Sequence, residues 1–383
     1  MLKNRKMKTL FITFSYLKGD RGGIYASKTH INLFAELSEK MTLLFPYKKG
    51  MEPEDIRTER IKMVPVEDAR GNFRKYVDLC LGIQHRYERA ASEYLGDCDI
   101  DTVVFDGSVT SSRLIGKFKE AGKRVITLHH NYEIEYIKAD ASPLLKVPQL
   151  FWTYLHEGEA VRKSDLNITL SKQDSELFRK HYCKDATFDF LGVYDFKRRS
   201  QQTFSERGRG HHYLITGGLG SKQNEDSLIP WIKNYYPILK RIDPEVNLTL
   251  AGRSPSPLLK EAVREIGANL IDSPKDMNPI LLSGDYYLCP TDRGGGIKLR
   301  VMDGLKGGMP VLTHEVSARG YENVIELGIV FSYRDEQSFE NALKKMLSSN
   351  LSRKEIQDQY LYSFSYEKGL SRLQEILENA QIL

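Results

Sequence analysis

Three adjacent glycines, Gly294, Gly295 and Gly296, are followed by Ile297, Lys298 and Arg300, and Asp303 stands seven residues after Gly296. A loop without side chains leaves its backbone N–H groups open. A helix starting there would aim the positive end of its dipole at the same point. Lys298 and Arg300 add full positive charge, and the combination suits phosphate. Asp303 falls about two helical turns down the same face, where a carboxylate can accept ribose hydroxyls. The plainer alternative is a turn between buried strands with solvated cations. A second glycine group, Gly217-Gly218-Leu219-Gly220, runs into Ser221 and Lys222. Arg253 follows an apolar run ending at Ala251-Gly252, placed either to reach phosphate or to stay on the surface.

His129-His130-Asn131-Tyr132-Glu133 offers proton exchange near neutral pH. It follows the apolar run Arg124–Leu128, and groups beyond the carboxyl ends of parallel strands face the ligand crevice. An exposed loop histidine fits the same position. Asp99 and Asp101 form an Asp-x-Asp pair but precede a strand-like run, so they read as a solvated turn and no metal site is expected.

These residues need a scaffold, and the hydrophobic pattern supplies one. Lys8–Ser15 reads as a buried strand, Gly22-Gly23 as a glycine turn and Ile24–Leu37 as a helix. Strand runs follow at Met41–Phe45, Ile61–Val66, Thr102–Asp106, Arg124–Leu128, Leu166–Leu170 and Phe188–Val193. Helical stretches are expected at Tyr76–Tyr94, Ser112–Ala121, Phe151–Arg162 and Lys172–His181, with Pro143 and Pro148 breaking the segment before Phe151. The run Asp195–His212 is polar and charge-rich, so 198–212 is the expected linker. The alternation then restarts. Strands are expected at Tyr213–Thr216, Val246–Ala251, Leu270-Ile271, Tyr286–Cys289, Val311-Leu312 and Val330-Phe331, with a helix beginning at Ile297. Two alternating halves imply an α/β protein with two Rossmann-like doubly wound domains facing across a cleft.

The chain has 383 residues, more than one ordinary core holds. Its four cysteines include no CxxC pair, which argues against a disulfide scaffold or zinc site and suits a reducing compartment. No apolar run reaches membrane-spanning length and the N-terminal run is too short for a signal peptide, so a cytoplasmic location is expected. The first 200 residues carry 34 Lys and Arg against 28 Asp and Glu, a bias that suits an anionic acceptor or membrane surface, or simply a solvated face.

Taken together, four segments resemble the retaining glycosyltransferases of GT-B architecture, family 4 group. They are Gly22-Gly23; His130-Asn131-Tyr132-Glu133, similar to the family's His-Asn-x-Glu; Gly217-Gly218-Leu219-Gly220-Ser221-Lys222-Gln223-Asn224; and the Gly294–Asp303 stretch, similar to the Gly-Ile-Lys version of the donor signature. Gly295 stands where many members carry the first acid of a Glu-x7-Glu pair, with Asp303 at the second.

The resemblance implies an acceptor-binding domain at 1–197, a donor-binding domain at 213–359, and a helix at 360–383 crossing back to the first domain. It implies a nucleotide-diphosphate sugar, a UDP sugar for preference, as donor substrate with UDP as product, and no cofactor or metal. Lys298 and Lys222 would act with His130 in transfer. Gly218, Gly220, Arg253, Gly294, Gly295, Gly296 and Ile297 would hold the diphosphate. Ile271 and Ser273 would lie at the base and Asp303 at the ribose. Gly22, Gly23, Asn131 and Glu133 would shape the acceptor side. The implied acceptor is a saccharide or lipid-linked sugar in bacterial surface-polysaccharide or glycoconjugate synthesis, at the inner face of the membrane, with no nucleic acid involved. Two rivals stay open: a non-catalytic nucleotide-sugar-binding partner subunit, and an enzyme like the UDP-sugar 2-epimerases. An NAD enzyme fits least well, since no glycine fingerprint with a downstream ribose acid follows the first strand.

Overall fold

The protein was analysed as a computed structural model that describes residues 6–19, 22–67, 77, 85–107, 112–140, 143–198 and 210–383. The chain divides into two units: Met1–Arg199 with Phe364–Leu383, and Ser200–Ser363.

In the first unit the apolar runs become β1 (Met7–Thr13), β2 (Ser38–Pro46), β3 (Ile61–Val66), β4 (Thr102–Asp106), β5 (Arg124–His129), β6 (Leu166–Thr169) and β7 (Phe188–Phe190). All pair in parallel, in the order β3-β2-β1-β4-β5-β6-β7. Such strands are covered on both faces and need apolar residues at consecutive positions. β1 shows this: Leu10 and Ile12 enter one core, Phe11 the core on the other side. Chain order reverses between β1 and β4, so the crevice beyond their carboxyl ends is the natural ligand position of this sheet. The helix Gly22–Leu37 that follows β1 is buried from Tyr25 to Ala35.

The chain's end belongs to the first unit. Ser365 Oγ accepts from Lys368 N and caps the helix Tyr366–Asn379, whose Tyr366, Leu373, Ile376 and Leu377 join Phe11 and Phe34 in one core. The single segment expected from Tyr360 is therefore two helices, Arg353–Phe364 and Tyr366–Asn379, broken at this cap.

In the second unit, β8 (His212–Gly217), β9 (Asn247–Gly252), β10 (Asn269–Asp272), β11 (Tyr286–Cys289), β12 (Val311–His314) and β13 (Val330–Tyr333) form a parallel sheet ordered β10-β9-β8-β11-β12-β13. Its reversal lies between β8 and β11, the strands that feed the two glycine loops.

Two expectations are corrected and one helix is added. The helix after the second glycine loop starts at Arg300, not Ile297, because residues 294–299 form an open loop. Pro148 does not break its segment: one helix runs Pro143–Lys163, with Pro143 at its start and Pro148 within its second turn, where a missing N–H removes a single bond. Glu133–Asp140 is a helix as well. Of the helix expected at Tyr76–Tyr94, His85–Ser92 is described and most of the rest lies outside the described residues, as does most of the 198–212 linker. Among the described residues no helix is long and apolar enough to cross a membrane.

Candidate functional site

The second unit gathers its glycines at the carboxyl ends of β8, β9 and β10. Gly217 pairs with Gly252, and Gly252 with Asp272. The backbone here is packed too closely for side chains. A methyl carbon on Gly252 would stand 1.8 Å from the carbonyl oxygen of Gly217, and one on Gly220 would stand 1.8 Å from that of Ser254. Arg253 N donates to Gly217 O at 3.1 Å, Gly220 N to Arg253 O at 3.1 Å, and Ser273 N to Gly252 O at 2.7 Å. Gly218, Gly220, Arg253 and Ser273 thus meet on one rim, as the sequence suggests. Ile271, on β10, is 38% exposed beside them. Ser254 and Ser273 are both at positive φ on this rim, and Ser254 carries no sequence signal of its own.

The second loop is tied to this rim by polar side chains. Arg300 Nη2 donates to Asn224 Oδ1 at 2.5 Å and to Thr291 Oγ1 at 2.7 Å, and its Nη1 to Thr216 O at 3.3 Å. Gln223 Nε2 donates to Arg293 O and fills the space beside Gly294, whose φ of 83° favours glycine. Ile297 packs against Gly320, and Tyr321 Oη donates to Lys298 O at 3.1 Å. Arg300, Asn224, Gln223 and Tyr321 therefore hold the loop in shape. Gln223, Asn224 and Arg300 belong to the two family-like segments, whereas Tyr321 lies outside them.

The expected cations lie close by. Lys298 Nζ donates to Gly295 O at 3.0 Å, curled over its own loop. Lys222 Nζ reaches Asp226 at 2.7 Å on the outer face of the helix Lys222–Asn234. Asp303 is in the first turn of the helix Arg300–Lys306, with Lys306 Nζ 3.9 Å away, and is 38% exposed at its side chain.

In the first unit the structure assembles a cluster larger than the sequence motif. Asp106 ends β4 beside Thr13 of β1, at the reversal point. His130 Nε2 donates to Asp106 Oδ1 at 2.6 Å, and His30 Nδ1 donates to the same oxygen at 3.1 Å. Thr13 Oγ1 donates to Asp106 Oδ2 at 2.7 Å, and Tyr87 Oη holds Thr13 O at 2.6 Å. Asp106 and His30 are buried, while His130 keeps 17% of its side chain exposed. A methyl carbon on Gly23 would stand 3.9 Å from His130 Nδ1, an ordinary contact, and one on Gly22 would meet nothing within 4 Å.

The two histidines are biased in opposite directions. Burial opposes charge on His130, but the charge and hydrogen bond of Asp106 outweigh it and hold the ring above its ordinary 6.5. For His30 burial wins and holds it below 6.5. Burial would raise Asp106, yet the two histidines keep its carboxyl well below the ordinary value. One carboxylate thus biases the outward-facing His130 toward its charged form, while burial biases the inward-facing His30 toward its neutral form. Their ligand atoms all lie within 4.8 Å of one another, close enough for a cation to enter.

Glu133 begins the helix Glu133–Asp140, and its N–H donates to the buried Glu157 at 3.2 Å. Burial raises the carboxyl of Glu133, against the charge of His130. Glu133 thus sits behind His130, and the side-chain nitrogen of Asn131, which lies between them in sequence, is buried without a hydrogen-bond partner among the described residues. Tyr132 is a core residue, stacked on His181. His129, the motif's neighbouring histidine, is buried against Phe178 and pushed down to about 4 by burial. Asp106 and His30 escape sequence reading because one ends an ordinary buried strand and the other lies inside a buried helix.

Residues 210–349 match the family described as glycosyl transferases group 1, a span that covers both glycine loops. Over 57% of its length the chain is 21% identical to an uncharacterized 44.6 kDa protein in the cps region of Klebsiella pneumoniae, and the match spans 58% of that relative. Among solved structures it is similar to sucrose-phosphate synthase from Thermosynechococcus elongatus, with TM-score 0.69 and 12% identity over 98% of this chain and 99% of that one. It is also similar to HepE of Anabaena in complex with UDP, with TM-score 0.65 and 10% identity over 97% and 100% of the two chains. These likenesses show the GT-B fold.

Proposed function

We propose that the chain is a retaining glycosyltransferase that takes a sugar from a UDP sugar and passes it to a saccharide or lipid-linked acceptor in bacterial surface-polysaccharide synthesis. One observation carries this reading. The glycosyl transferases group 1 match falls on the residues that build the glycine rim and its Arg300-tied loop. The UDP bound to HepE and the cps region of the Klebsiella relative favour UDP as carrier and polysaccharide as product.

In this reading the second unit binds the donor. Its diphosphate lies over Gly218–Gly220 and Gly294–Ile297, where backbone N–H groups meet the charge that grows as the sugar–phosphate bond breaks. Lys298, a single torsion chain away from that loop, adds a full charge, and Lys222 supplies more from the neighbouring helix. Arg253 flanks the phosphates, Ile271 and Ser273 the base, and Asp303 the ribose hydroxyls. In the first unit Asp106 aligns His130, which orients the acceptor hydroxyl and takes or relays its proton, while Gly23 leaves room for the acceptor. His30 fixes Asp106 from behind.

The reading predicts UDP release from a UDP sugar that depends on an added saccharide or lipid-linked acceptor. Saturable UDP binding without any acceptor-dependent release would instead make the chain a binding subunit. Asp303→Ala should raise the Kd for UDP by roughly 5- to 30-fold, about 1–2 kcal/mol for a lost charge-assisted hydrogen bond. Calorimetric titration checks this, and an unchanged Kd would remove Asp303 from the ribose. Because cations and N–H groups serve the diphosphate, dialysis against EDTA should leave the transfer rate unchanged. A loss restored by a divalent ion would overturn the metal-free reading.

A further inference from the structure

The helix Pro143–Lys163 turns one apolar stripe away from its own core. Val147, Phe151, Tyr154 and Leu155 are 75%, 57%, 48% and 41% exposed. Their spacing puts them on one helical face about 12 Å long at 1.5 Å per residue. The opposite face carries Thr153, Glu157, Ala160 and Val161, all buried. The helix Glu133–Asp140, which continues from the His130 loop, packs along it and adds Tyr136, 43% exposed. A contiguous exposed patch of this kind marks a place of contact.

We propose that this stripe seats the first unit on an anionic phospholipid surface. The stretch Pro143–His156 contains no acidic residue, so nothing along the stripe repels phosphate. Its flanks carry lysines. Lys138 is exposed, and Lys146 Nζ donates to Lys138 O at 2.6 Å, which joins the two. Tyr154 Oη donates to His181 O at 3.2 Å, which brings the exposed Lys180 and Lys184 to the other side. These lysines stand against Glu135, Glu176 and Asp185. Apolar side chains with amphipathic aromatic tips, rimmed by lysines, suit the headgroup boundary, where each nearby lysine adds attraction that salt screens.

Vesicle co-sedimentation tests this without any assay of sugar transfer, so its failure would leave the donor site untouched. The wild-type protein should pellet with phosphatidylglycerol–phosphatidylcholine vesicles, less so as salt rises, and stay soluble with phosphatidylcholine alone. Phe151→Asp with Leu155→Asp should lower the partition coefficient at least about 10-fold while UDP binding is retained. Phe151→Ser, a milder change at an exposed position, should give an intermediate loss. The proposal is overturned if the wild type does not pellet with the anionic vesicles, or if the double variant pellets as the wild type does. It is also overturned if light scattering shows a wild-type dimer that the double variant splits, since the stripe would then face a second copy.

Discussion

Replacing His130 by alanine is expected to lower sugar transfer by roughly 10²- to 10⁴-fold, the range attached to a positioned proton-transfer group, with UDP affinity unchanged. Asp106→Asn should give a loss of similar kind, because the carboxylate that receives His130 at 2.6 Å also fixes its orientation. The pH profile separates this role from a merely structural one. The neutral ring is the form that accepts a proton. Asp106 holds His130 above 6.5, so that form is lost as pH falls through the raised value. The acid limb of kcat/KM should therefore lie above pH 6.5 in the wild type. In Asp106→Asn, burial acts without the opposing charge, and the limb should move to lower pH while the plateau falls. A His130→Ala enzyme with wild-type turnover would take the histidine out of the mechanism.

The second large effect is expected at Gly220. Its missing side chain leaves the rim closed, since a methyl carbon would stand 1.8 Å from the Ser254 carbonyl oxygen. That neighbour is backbone, so no rotamer change relieves the overlap. Arg253 and Ser254 must shift, and with them the hydrogen bond from Gly220 N to Arg253 O. Gly220→Ala should weaken UDP binding about 100-fold, near 2.8 kcal/mol at about 1.4 kcal/mol per tenfold. A thermal midpoint close to wild type would show that the unit is folded. A folded Gly220→Ala protein with wild-type affinity would place the nucleotide elsewhere.

The donor half was the more legible part of the sequence, for a physical reason. A rim of close backbone contacts admits only glycine, and glycine is visible in any sequence. The cluster at Asp106 was not legible. Its members are joined by three-dimensional closure of β1, β4, β5 and a buried helix, and His30 and His130 lie a hundred positions apart in the chain. A buried Asp at a strand end and a buried His in a helix look like ordinary core residues. His130 stood out only because its neighbours resemble a family motif. Element types followed hydrophobic periodicity well. Boundaries moved where a local rule was overruled: Pro148 is carried through its helix by the packing of Thr153 to Val161, and the loop 294–299 stays open because Gln223, Gly320 and Tyr321 hold it. Lys298 and Lys222 were expected at the phosphates. In the structure they rest on Gly295 O and Asp226, contacts that a diphosphate can replace.

In the proposed function the second unit holds a nucleotide sugar at its glycine rim. Thermal denaturation of the wild-type protein against a panel of nucleotides and nucleotide sugars tests it most directly. A ligand at 100 times its Kd stabilises the folded state by about 2.7 kcal/mol, which raises the midpoint by several degrees for a unit of this size. UDP and one or more UDP sugars should produce that rise, and Gly220→Ala should abolish it. A panel in which no nucleotide shifts the midpoint, or in which the shift survives in a folded Gly220→Ala protein, would contradict the account.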